Sequence, residues 1–457
     1  MTAAATCPVF DPATGRACGH APVTTPAQLD DALAAAVRAQ PAWAADEAAR
    51  RQALATAADR LDAAVDELAA LLTAEQGKPL RSAASEVRGA AHWLRAYAAV
   101  ALTEEPLAEA APARVSVGQR PLGVVAAITP WNFPLLLAAW KLAPALLAGN
   151  AVVVKPSPET PLTTLRMEEL LRDVLPPGVL AVVSGDGALG AALVAHPAVR
   201  KVSFTGSTET GRAVAAAAAP GLKRVTLELG GNDAAIVLDD ADPAAIAEEL
   251  FWSAFENCGQ VCAAVKRLFV PRRLAGALTD ALAELAAGVR VGPGRDPDVQ
   301  LGPLCTRAQL RHVTALVDDA LARGARAAAG GRALDGPGSF FAPTILTGAP
   351  DDARVVAEEQ FGPVLPILVY ETVEEAVARA NATSFGLCGS VWGGDVERAH
   401  QVARRLECGS AYVNSHGGIT PYQPFGGIKD SGLGVEQGRL GLQAYGDVRV
   451  TVLPAPA

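Results

Sequence analysis

Apolar residues from Ala27 to Ala101 recur at intervals of three and four positions along the chain. This spacing places them on one face of an α-helix and predicts a helical region. The triplet Gly77-Lys78-Pro79 interrupts the pattern, because glycine and proline both break helices. The first part of the sequence is therefore predicted to consist of helices separated by a break at this triplet.

A different pattern follows, in which short strand-like runs alternate with helix-like segments. The strand-like runs are Gly123–Ile128, Ala151–Lys155, Leu180–Val183, Lys201–Phe204 and Arg224–Leu227. The helix-like segments between them are Leu135–Leu147, Leu162–Val174, Leu189–Ala195 and Ser207–Ala218. Strands that alternate with helices of this length predict βαβ crossovers and a parallel sheet with both faces covered. Nucleotide-binding folds have this architecture.

A second alternating series extends from Ala234 to about Val413. Its strand-like runs include Ala234–Leu238, Arg267–Val270 and Pro366–Val369, and its helix-like segments include Ala275–Ala287 and Arg307–Arg323. We interpret this series as a second α/β domain. The fold class predicted from the sequence is therefore α/β, with two domains that each contain a sheet.

Three further segments have distinct patterns. Arg114–Val117 alternates like a short strand and predicts one arm of a hairpin. Val448–Leu453 predicts a terminal strand that pairs either with this arm or with another subunit. The most apolar segment, Leu135–Val154, fits a helix, a turn and a strand better than a membrane span. It is interrupted by Lys141, Pro144, Gly149 and Asn150.

Composition narrows the class of protein. With 457 residues the chain exceeds one ordinary core, and about two or three domains are expected. A net charge of −9 argues against nucleic acid or an acidic membrane as a partner, because either requires a basic face. Met1 to Phe10 has no basic segment followed by an apolar one, so no secretory signal is predicted.

The seven cysteines are scattered along the chain. They are Cys7, Cys18, Cys258, Cys262, Cys305, Cys388 and Cys408. Their number is odd and no pair has CxxC spacing, so neither a disulfide framework nor a metal site is predicted. A reducing, cytoplasmic location fits this usage best. Cys262 closes the run Gly259-Gln260-Val261-Cys262, which suggests a nucleophile on a loop, although a single cysteine is more often a packed core residue.

Four other positions carry candidate chemistry, each with a plainer alternative. The Gly206-Ser207 turn follows a strand and opens a helix, so it either binds a phosphate or simply caps the helix through Ser207. Asn132 either donates to an oxyanion or caps the helix after Pro134. Glu228, among apolar neighbours, is either a general base with a raised pKa or a structural, ion-paired residue. Lys155 either binds a ribose hydroxyl or ends a strand in solvent.

Six motifs in this order resemble those of the aldehyde dehydrogenase superfamily, and the similarity extends from about Asp11 to Tyr445. The motifs are Pro130-Trp131-Asn132-Phe133-Pro134, Phe204-Thr205-Gly206-Ser207, Leu227-Glu228-Leu229-Gly230-Gly231, Gly259-Gln260-Val261-Cys262, Glu359-Gln360-Phe361-Gly362-Pro363 and Pro424-Phe425-Gly426-Gly427-x-Lys429-x-Ser431-Gly432. The resemblance implies oxidation of an aldehyde to a carboxylic acid with NAD or NADP.

The resemblance also implies a role for each matching residue. Cys262 would be the nucleophile, Asn132 an oxyanion donor and Glu228 the base that activates water. The residues implied in coenzyme binding are Trp131, Lys155, Gly206, Ser207, Glu359 and Phe361. Those implied in the substrate pocket are Phe133, Trp140, Glu256, His416, Ile419 and Phe425. Lys141 and Glu436 match positions of a proton relay, or are structural charges.

Three positions depart from the family pattern. Pro158 replaces a glutamate that often binds both hydroxyls of the adenine ribose, so NADP is a possible coenzyme beside NAD. Val435 replaces an arginine, which bears on a structural ion pair. Glu256, six positions before Cys262, replaces an aromatic residue. We expect Glu256 either to favour aldehydes with a polar or cationic far end or to face solvent.

The resemblance further implies a domain division and an assembly. Residues 1–102 and 122–230 would form the Rossmann-like NAD(P)-binding domain, 231–432 the catalytic domain, and 103–121 with 433–457 a small β oligomerisation arm. A homodimer or homotetramer that takes a small-molecule aldehyde is expected. Two alternatives remain: a semialdehyde dehydrogenase that transfers the acyl group to coenzyme A, against which Glu228 argues, and a catalytically silent binding protein of the same fold.

Overall fold

A computed structural model describes residues 5–102, 105–110 and 113–454 of the chain. The predicted segments 1–102, 103–121 and 433–457 therefore include residues that lie outside the described ranges. The helices are α1 Pro26–Ala45, α2 Glu47–Ala63, α3 Val65–Gln76, α4 Leu80–Ala98, α5 Pro134–Leu147, α6 Leu162–Leu171, α7 Gly187–Ala195, α8 Thr208–Ala218, α9 Pro243–Phe255, α10 Arg272–Gly288, α11 Arg307–Ala322, α12 Arg354–Ala357, α13 Val373–Asn381, α14 Val396–Ala403 and α15 Gly438–Gln443.

The strands are β1 Thr6–Phe10, β2 Ala17–Pro22, β3 Glu105–Ala110, β4 Ala113–Pro121, β5 Val124–Ile128, β6 Ala151–Lys155, β7 Leu180–Val182, β8 Val199–Thr205, β9 Arg224–Glu228, β10 Asp233–Val237, β11 Val265–Pro271, β12 Arg326–Ala329, β13 Thr344–Thr347, β14 Val364–Tyr370, β15 Cys388–Trp392, β16 Ser410–Val413, β17 Gly432–Leu433 and β18 Gly446–Pro454. Short 3₁₀ turns occupy Ala219–Gly221, Glu256–Gly259 and Lys429–Ser431. The α/β fold class predicted from the sequence is confirmed.

The first large sheet has the strand order β17-β9-β8-β5-β6-β7. Its strands are parallel except β17, which pairs antiparallel with β9. In β5, Val125 and Ala127 enter one hydrophobic core, whereas Val124, Ala126 and Ile128 enter another on the opposite face. Alternate side chains of a strand point to opposite faces, so this sheet is buried on both. That burial explains why its strands have continuous apolar sequences.

The second large sheet has the order β12-β13-β14-β11-β10-β15-β16, with β12 alone antiparallel. Its two faces also contact separate apolar cores. The chain passes from the carboxyl end of β9 to the amino end of β10 through Leu229–Asn232. The carboxyl ends of parallel strands are where α/β folds place their sites, and here that edge of the first sheet meets the start of the second.

A third sheet is formed by β18, β4 and β3 in that order. β18 pairs antiparallel with β4 over its full length, from Gly446 opposite Pro121 to Pro454 opposite Ala113. The prediction that the terminal strand pairs with the earlier hairpin arm is therefore confirmed. β18 lies at the edge of this sheet, and Val448, Val450 and Val452 expose 69%, 56% and 62% of their surface.

A buried ion pair joins the helical layer to the loop after β5. Lys78, in the predicted break between α3 and α4, donates to Glu86 at 2.5 Å, and both side chains are 1% exposed. The other oxygen of Glu86 accepts from the backbone N–H groups of Leu135 and Leu136 at 3.0 and 3.2 Å. Glu86 thus satisfies donors that the first turn of α5 leaves free, which fixes where that helix begins.

Three other properties of the described residues bear on function. None of their helices is both long and apolar enough to span a membrane. Within the same part of the chain, no group of three or more histidine, cysteine, aspartate or glutamate side chains is placed to hold a metal ion. All seven cysteines have free thiols.

Candidate active site

Residues 256–264, between α9 and β11, form a loop that contains Cys258 and Cys262 and is called the cysteine loop below. Its backbone is unusual. Asn257, Cys258 and Gly259 all have positive φ, at 50°, 60° and 69°. A side chain at Gly259 would collide with the carbonyl oxygen of Gly362, so the close approach of two loops requires glycine there. Cys258 is buried in an apolar core, and burial raises the pKa of its thiol to about 12, as for a packed small residue. Cys262 follows, partly exposed, just before β11.

Asn132 reaches the same loop from the carboxyl edge of the first sheet. Its Nδ2 donates to Gln260 O at 3.0 Å, and its Oδ1 has no hydrogen-bond partner among the described residues. The N-cap of α5 is Phe133, so the alternative that Asn132 caps this helix is wrong. The backbone carbonyl of Asn132 accepts from Lys78 Nζ at 2.8 Å and from Asn257 Nδ2 at 3.0 Å. The side-chain amide is thus held with one N–H directed to Gln260, and its other N–H has no partner among the residues that the structure describes.

Glu228 ends β9 at the same edge and is 4% exposed. Neither carboxylate oxygen has a hydrogen-bond partner in the described part of the chain, which argues against the ion-paired alternative. Burial is the largest cause that raises its pKa well above the ordinary value; Glu436 adds to the shift and Lys141 opposes it. A buried carboxylate that makes no internal bond is free to bind a proton from a reactant.

Lys141 and Glu436 form a buried pair beside this carboxylate. Lys141 Nζ donates to Glu436 Oε1 at 2.6 Å and to Thr205 Oγ1 at 2.8 Å. Ser203 Oγ donates to the same glutamate oxygen at 2.8 Å, and the Tyr445 hydroxyl donates to Ser203 Oγ at 3.2 Å. Polar groups therefore continue from the region of Glu228 along the interior of the first sheet.

The predicted phosphate turn lies one strand away. Ser207 is the N-cap of α8 and accepts from Thr210 N at 3.3 Å, so its capping role is confirmed. Gly206 N donates to Glu228 O at 3.0 Å, which places the turn against the end of β9. The free N–H groups at the start of an eleven-residue helix are suited to an anion. Lys155 is only 5% exposed, so it does not end its strand in solvent.

Three of the residues predicted to bind the coenzyme, Glu359, Phe361 and Trp131, also lie near the cysteine loop. Glu359 Oε1 accepts from Gly231 N at 3.0 Å and pairs with Lys266 Nζ at 3.3 Å. Burial raises the pKa of Glu359, and Lys266 opposes this rise. The rings of Trp131 and Phe361 meet edge to face, with centroids 5.3 Å apart.

The predicted pocket residues divide into two groups. Phe133, Trp140, Ile419 and Phe425 belong to one apolar cluster that also contains Cys262. The Trp140 and Phe425 rings meet at 5.8 Å.

The two polar members of the predicted pocket are placed differently. His416 is turned into the interior, where its Nδ1 lies 2.9 Å from Ser390 Oγ and its Nε2 lies 3.6 Å from Asp233 Oδ2. Its side chain is only 1% exposed. Glu256 is exposed at the start of the 3₁₀ turn.

The chain matches known proteins over nearly its whole length. The model of the aldehyde dehydrogenase family matches residues 1–451. The chain belongs to the aldehyde dehydrogenase family. A betaine aldehyde dehydrogenase of Cereibacter sphaeroides is 43% identical over 456 residues, which covers 97% of this chain and 92% of that protein. As a member of this family, the chain is an oxidoreductase that acts on aldehydes.

Solved structures agree with this assignment. An NAD+ complex of an aldehyde dehydrogenase from Bacillus cereus is 34% identical, with a TM-score of 0.96 over 99% of this chain and 94% of that one. A betaine aldehyde dehydrogenase from Staphylococcus aureus in complex with NAD+ is 32% identical, with a TM-score of 0.95 over 99% of this chain and 92% of that one. The expected Rossmann-like and catalytic sheets of an aldehyde dehydrogenase are thus present.

For an aldehyde dehydrogenase, the resting state of Cys262 matters. Burial raises the pKa of its thiol to about 12; Lys266 opposes this, and Glu228, Glu359 and Asp233 add to it. The thiolate is the reactive form, so the resting site holds the protonated thiol among carboxylates.

Two residues of this aldehyde dehydrogenase site were not predicted from the sequence. Gln260 holds the loop through its side chain, which donates to Asn257 O at 2.9 Å and accepts from Cys305 N at 2.8 Å. Lys266 Nζ donates to the backbone carbonyls of Val261 and Cys262 in the cysteine loop, at 2.8 and 2.7 Å. In the sequence Lys266 stands beside Arg267 just before the apolar run Leu268–Val270, a pattern typical of an exposed strand start, and the structure instead shows all seven residues of β11 buried.

Proposed function

We propose that Cys262 attacks the aldehyde carbonyl to form a thiohemiacetal. The side-chain amide of Asn132 and the backbone N–H of Cys262 donate to the oxyanion that develops. Loss of hydride leaves a thioester, and water activated by Glu228 hydrolyses it to the carboxylic acid and the free thiol. The observation that carries this proposal is the buried carboxylate of Glu228, which has no internal hydrogen bond in the described residues.

The residues at the edge of the first sheet fit a nicotinamide coenzyme. When bound, NAD+ or NADP+ supplies the hydride acceptor. Lys155 Nζ donates to Pro156 O at 3.1 Å, its one hydrogen bond in the described part of the chain, so further donors remain for a ribose hydroxyl. Trp131, Gly206 and Ser207 are proposed to hold the pyrophosphate at the start of α8, and Glu359 with Phe361 the nicotinamide ribose.

An assay with a panel of aldehydes tests both parts of this proposal. Absorbance of the reduced coenzyme is followed with NAD+ and with NADP+ in parallel, and the product is identified with and without coenzyme A. We expect the free acid in both cases and no turnover by Cys262→Ala, which still binds coenzyme. Acyl-coenzyme A as the product would instead support the acyl-transferring alternative, and full activity of Cys262→Ala would contradict the mechanism.

We further propose that the substrate carries a cationic or polar group at the end remote from the carbonyl. Aromatic faces attract ammonium groups, and the aromatic residues Phe133, Trp140 and Phe425 share a cluster with Cys262. The relatives with 42–43% identity are named betaine aldehyde dehydrogenases. The values of kcat/KM for an aminoaldehyde and an alkanal of equal length are compared in the wild type and in Glu256→Gln. An alkanal preference that Glu256→Gln leaves unchanged would contradict a role for Glu256.

We propose that the protein is a homodimer or homotetramer located in the cytoplasm. Exposed valines along the edge strand β18 support self-association, because an unpaired apolar edge favours pairing with another chain. The free thiols are consistent with a reducing compartment. Light scattering on the wild type and on Val450→Lys gives the mass of each. A monomeric wild type would contradict the proposal.

The domain division also remains our proposal. It assigns 1–102 and 122–230 to coenzyme binding, 231–432 to catalysis, and 103–121 with 433–457 to association. Support comes from the three larger of the four sheets in the described residues, although β17, at Gly432–Leu433, joins the first sheet beside β9. Limited proteolysis with and without NAD+ tests the division, since the coenzyme should protect the first unit selectively.

A further inference from the structure

Lys266 is a buried lysine next to the cysteine loop. It lies in β11, and 2% of its surface is exposed. Its Nζ donates to Val261 O at 2.8 Å and to Cys262 O at 2.7 Å, and it lies 3.3 Å from Glu359 Oε1. Three partners account for the three hydrogens of the ammonium group. Two of the partners belong to the cysteine loop and one to the proposed coenzyme site.

The backbone of Lys266 makes a second link to the same region. Gln360 Nε2 donates to Lys266 O at 3.2 Å, so the residue after Glu359 is attached to the lysine as well. The ammonium group also lies 5.9 Å from the centroid of the Phe361 ring. The segment Glu359–Phe361 and the cysteine loop therefore share one anchoring residue.

A lysine at this position is not explained by stability of the sheet. Removing an ammonium group from water has a free-energy cost that its partners offset only in part, and a well-packed apolar side chain is often as stable. The other six residues of β11 are also buried, and all of them except Arg267 are apolar. The charge is therefore best explained by its effect on the groups that it contacts.

We propose that Lys266 is a positioning residue that connects the cysteine loop to the carboxylate of Glu359. It holds the carbonyls of Val261 and Cys262 in place and keeps Glu359 oriented toward the coenzyme. This inference rests on the proposed roles of Cys262 and Glu359. As a consequence, both the reactivity of the Cys262 thiol and the affinity for the coenzyme depend on the side chain of Lys266.

The thiol of Cys262 gives a readout that does not require turnover. The charged groups that act on it are Lys266, which favours the thiolate, and Glu228, Glu359 and Asp233, which disfavour it. Loss of the lysine charge leaves the three carboxylates unopposed. Alkylation of Cys262 by iodoacetamide should then be about tenfold slower at the same pH, because the thiolate is the form that reacts.

The experiment compares Lys266→Met and Lys266→Arg with a matched control, Lys223→Met. Lys223 also donates to two backbone carbonyls, those of Val194 and His196, but at the opposite end of the first sheet. The measurements are the rate of Cys262 alkylation against pH in the coenzyme-free protein, the Kd for NAD+ by calorimetry, and the melting temperature. Alkylation of Cys262 is identified by peptide mass.

We expect Lys266→Met to slow alkylation about tenfold and to weaken NAD+ binding about tenfold, and Lys266→Arg to restore part of both. Lys223→Met should change neither. A lowered melting temperature with unchanged alkylation and NAD+ affinity would show that Lys266 is merely structural and would overturn the proposal. If Lys266→Met does not fold, the arginine variant decides, since a smaller change in the same direction is expected in both its alkylation rate and its NAD+ affinity, and wild-type values of both would overturn the proposal. Failure of the proposed function would appear separately, as a wild type that neither binds NAD+ nor oxidises aldehydes.

Discussion

Replacing Glu228 by glutamine isolates the step that this residue is proposed to catalyse. Neither of its carboxylate oxygens has a hydrogen-bond partner among the described residues, so the substitution breaks no internal bond there. Glutamine has nearly the same size and removes a buried charge, which is a favourable change for the folded state. The effect on activity should therefore reflect lost chemistry and not lost structure.

The expected size of the effect follows from the role of a general base. Such a group contributes about 10²–10⁴-fold to its step, which corresponds to about 3–5 kcal/mol. Attack by Cys262 and loss of hydride should be less affected than hydrolysis of the thioester. Rapid mixing should then show a burst of about one reduced coenzyme per active site, followed by turnover that is slower by about 10²–10⁴-fold.

The pH dependence provides an independent check. The base acts in its ionised form, and burial together with Glu436 raises the pKa of Glu228 well above the ordinary value. Wild-type hydrolysis should consequently slow as the pH falls through that raised pKa, and the slope should be absent in Glu228→Gln. The control is Glu168→Gln, another carboxylate whose pKa burial raises, outside the site. A glutamine variant with no burst and wild-type turnover would refute the role of Glu228.

Three further predictions concern the oxyanion, a buried lysine and the loop. Asn132→Ala removes the donor held by Gln260 and should lower kcat about 10²–10³-fold, with coenzyme Kd unchanged; an unchanged kcat would exclude an oxyanion role. Burial lowers the pKa of Lys201 to about 7, so wild-type stability should rise with pH from about 7 to the ordinary lysine pKa. Lys201→Met lacks this rise, so its melting temperature relative to wild type should be higher at pH 6 than at pH 10. The corresponding difference in unfolding free energy is about 4 kcal/mol, because about three pH units separate the folded pKa from pH 10; equal offsets at both pH values would contradict this. Gly259→Ala should lower both the melting temperature and the rate of Cys262 alkylation, since φ is 69° and Gly362 is in the way; wild-type values of both would show that the loop tolerates a side chain there.

The elements were predictable where the sequence pattern reflects burial directly. The run Ala151–Lys155 was predicted with the bounds that β6 has in the structure, because a parallel strand buried on both faces is apolar throughout. The helix that follows β5 was predicted one residue short, at Leu135, and begins at Pro134. The proline fits the first turn of a helix, which needs no N–H at that position.

The predicted catalytic residues come from separate motifs: Asn132 and Glu228 share the carboxyl edge of the first parallel sheet, whereas Cys262 precedes β11 of the second sheet. What the pattern did not contain is how charges pair across long distances in the chain. Lys141 and Glu436 are 295 positions apart, and Lys78 and Glu86 each contact the loop of Asn132 or the helix after it. No periodicity encodes such pairs, because each depends on which helix faces which loop. His416 illustrates the same limit: predicted in the pocket, it is directed toward Ser390 and Asp233.

The break at Gly77-Lys78-Pro79 shows how a local interruption acquires a role in the site. In the sequence it only ends one helix and precedes the next. In the fold, Lys78 in this break donates to the backbone carbonyl of Asn132, while Glu86 accepts from the first N–H groups of α5. A buried ion pair adds little stability by itself, yet here its two ends fix the position of one loop. The amide proposed to bind the oxyanion is therefore oriented before any substrate arrives, as electrostatic preorganisation requires.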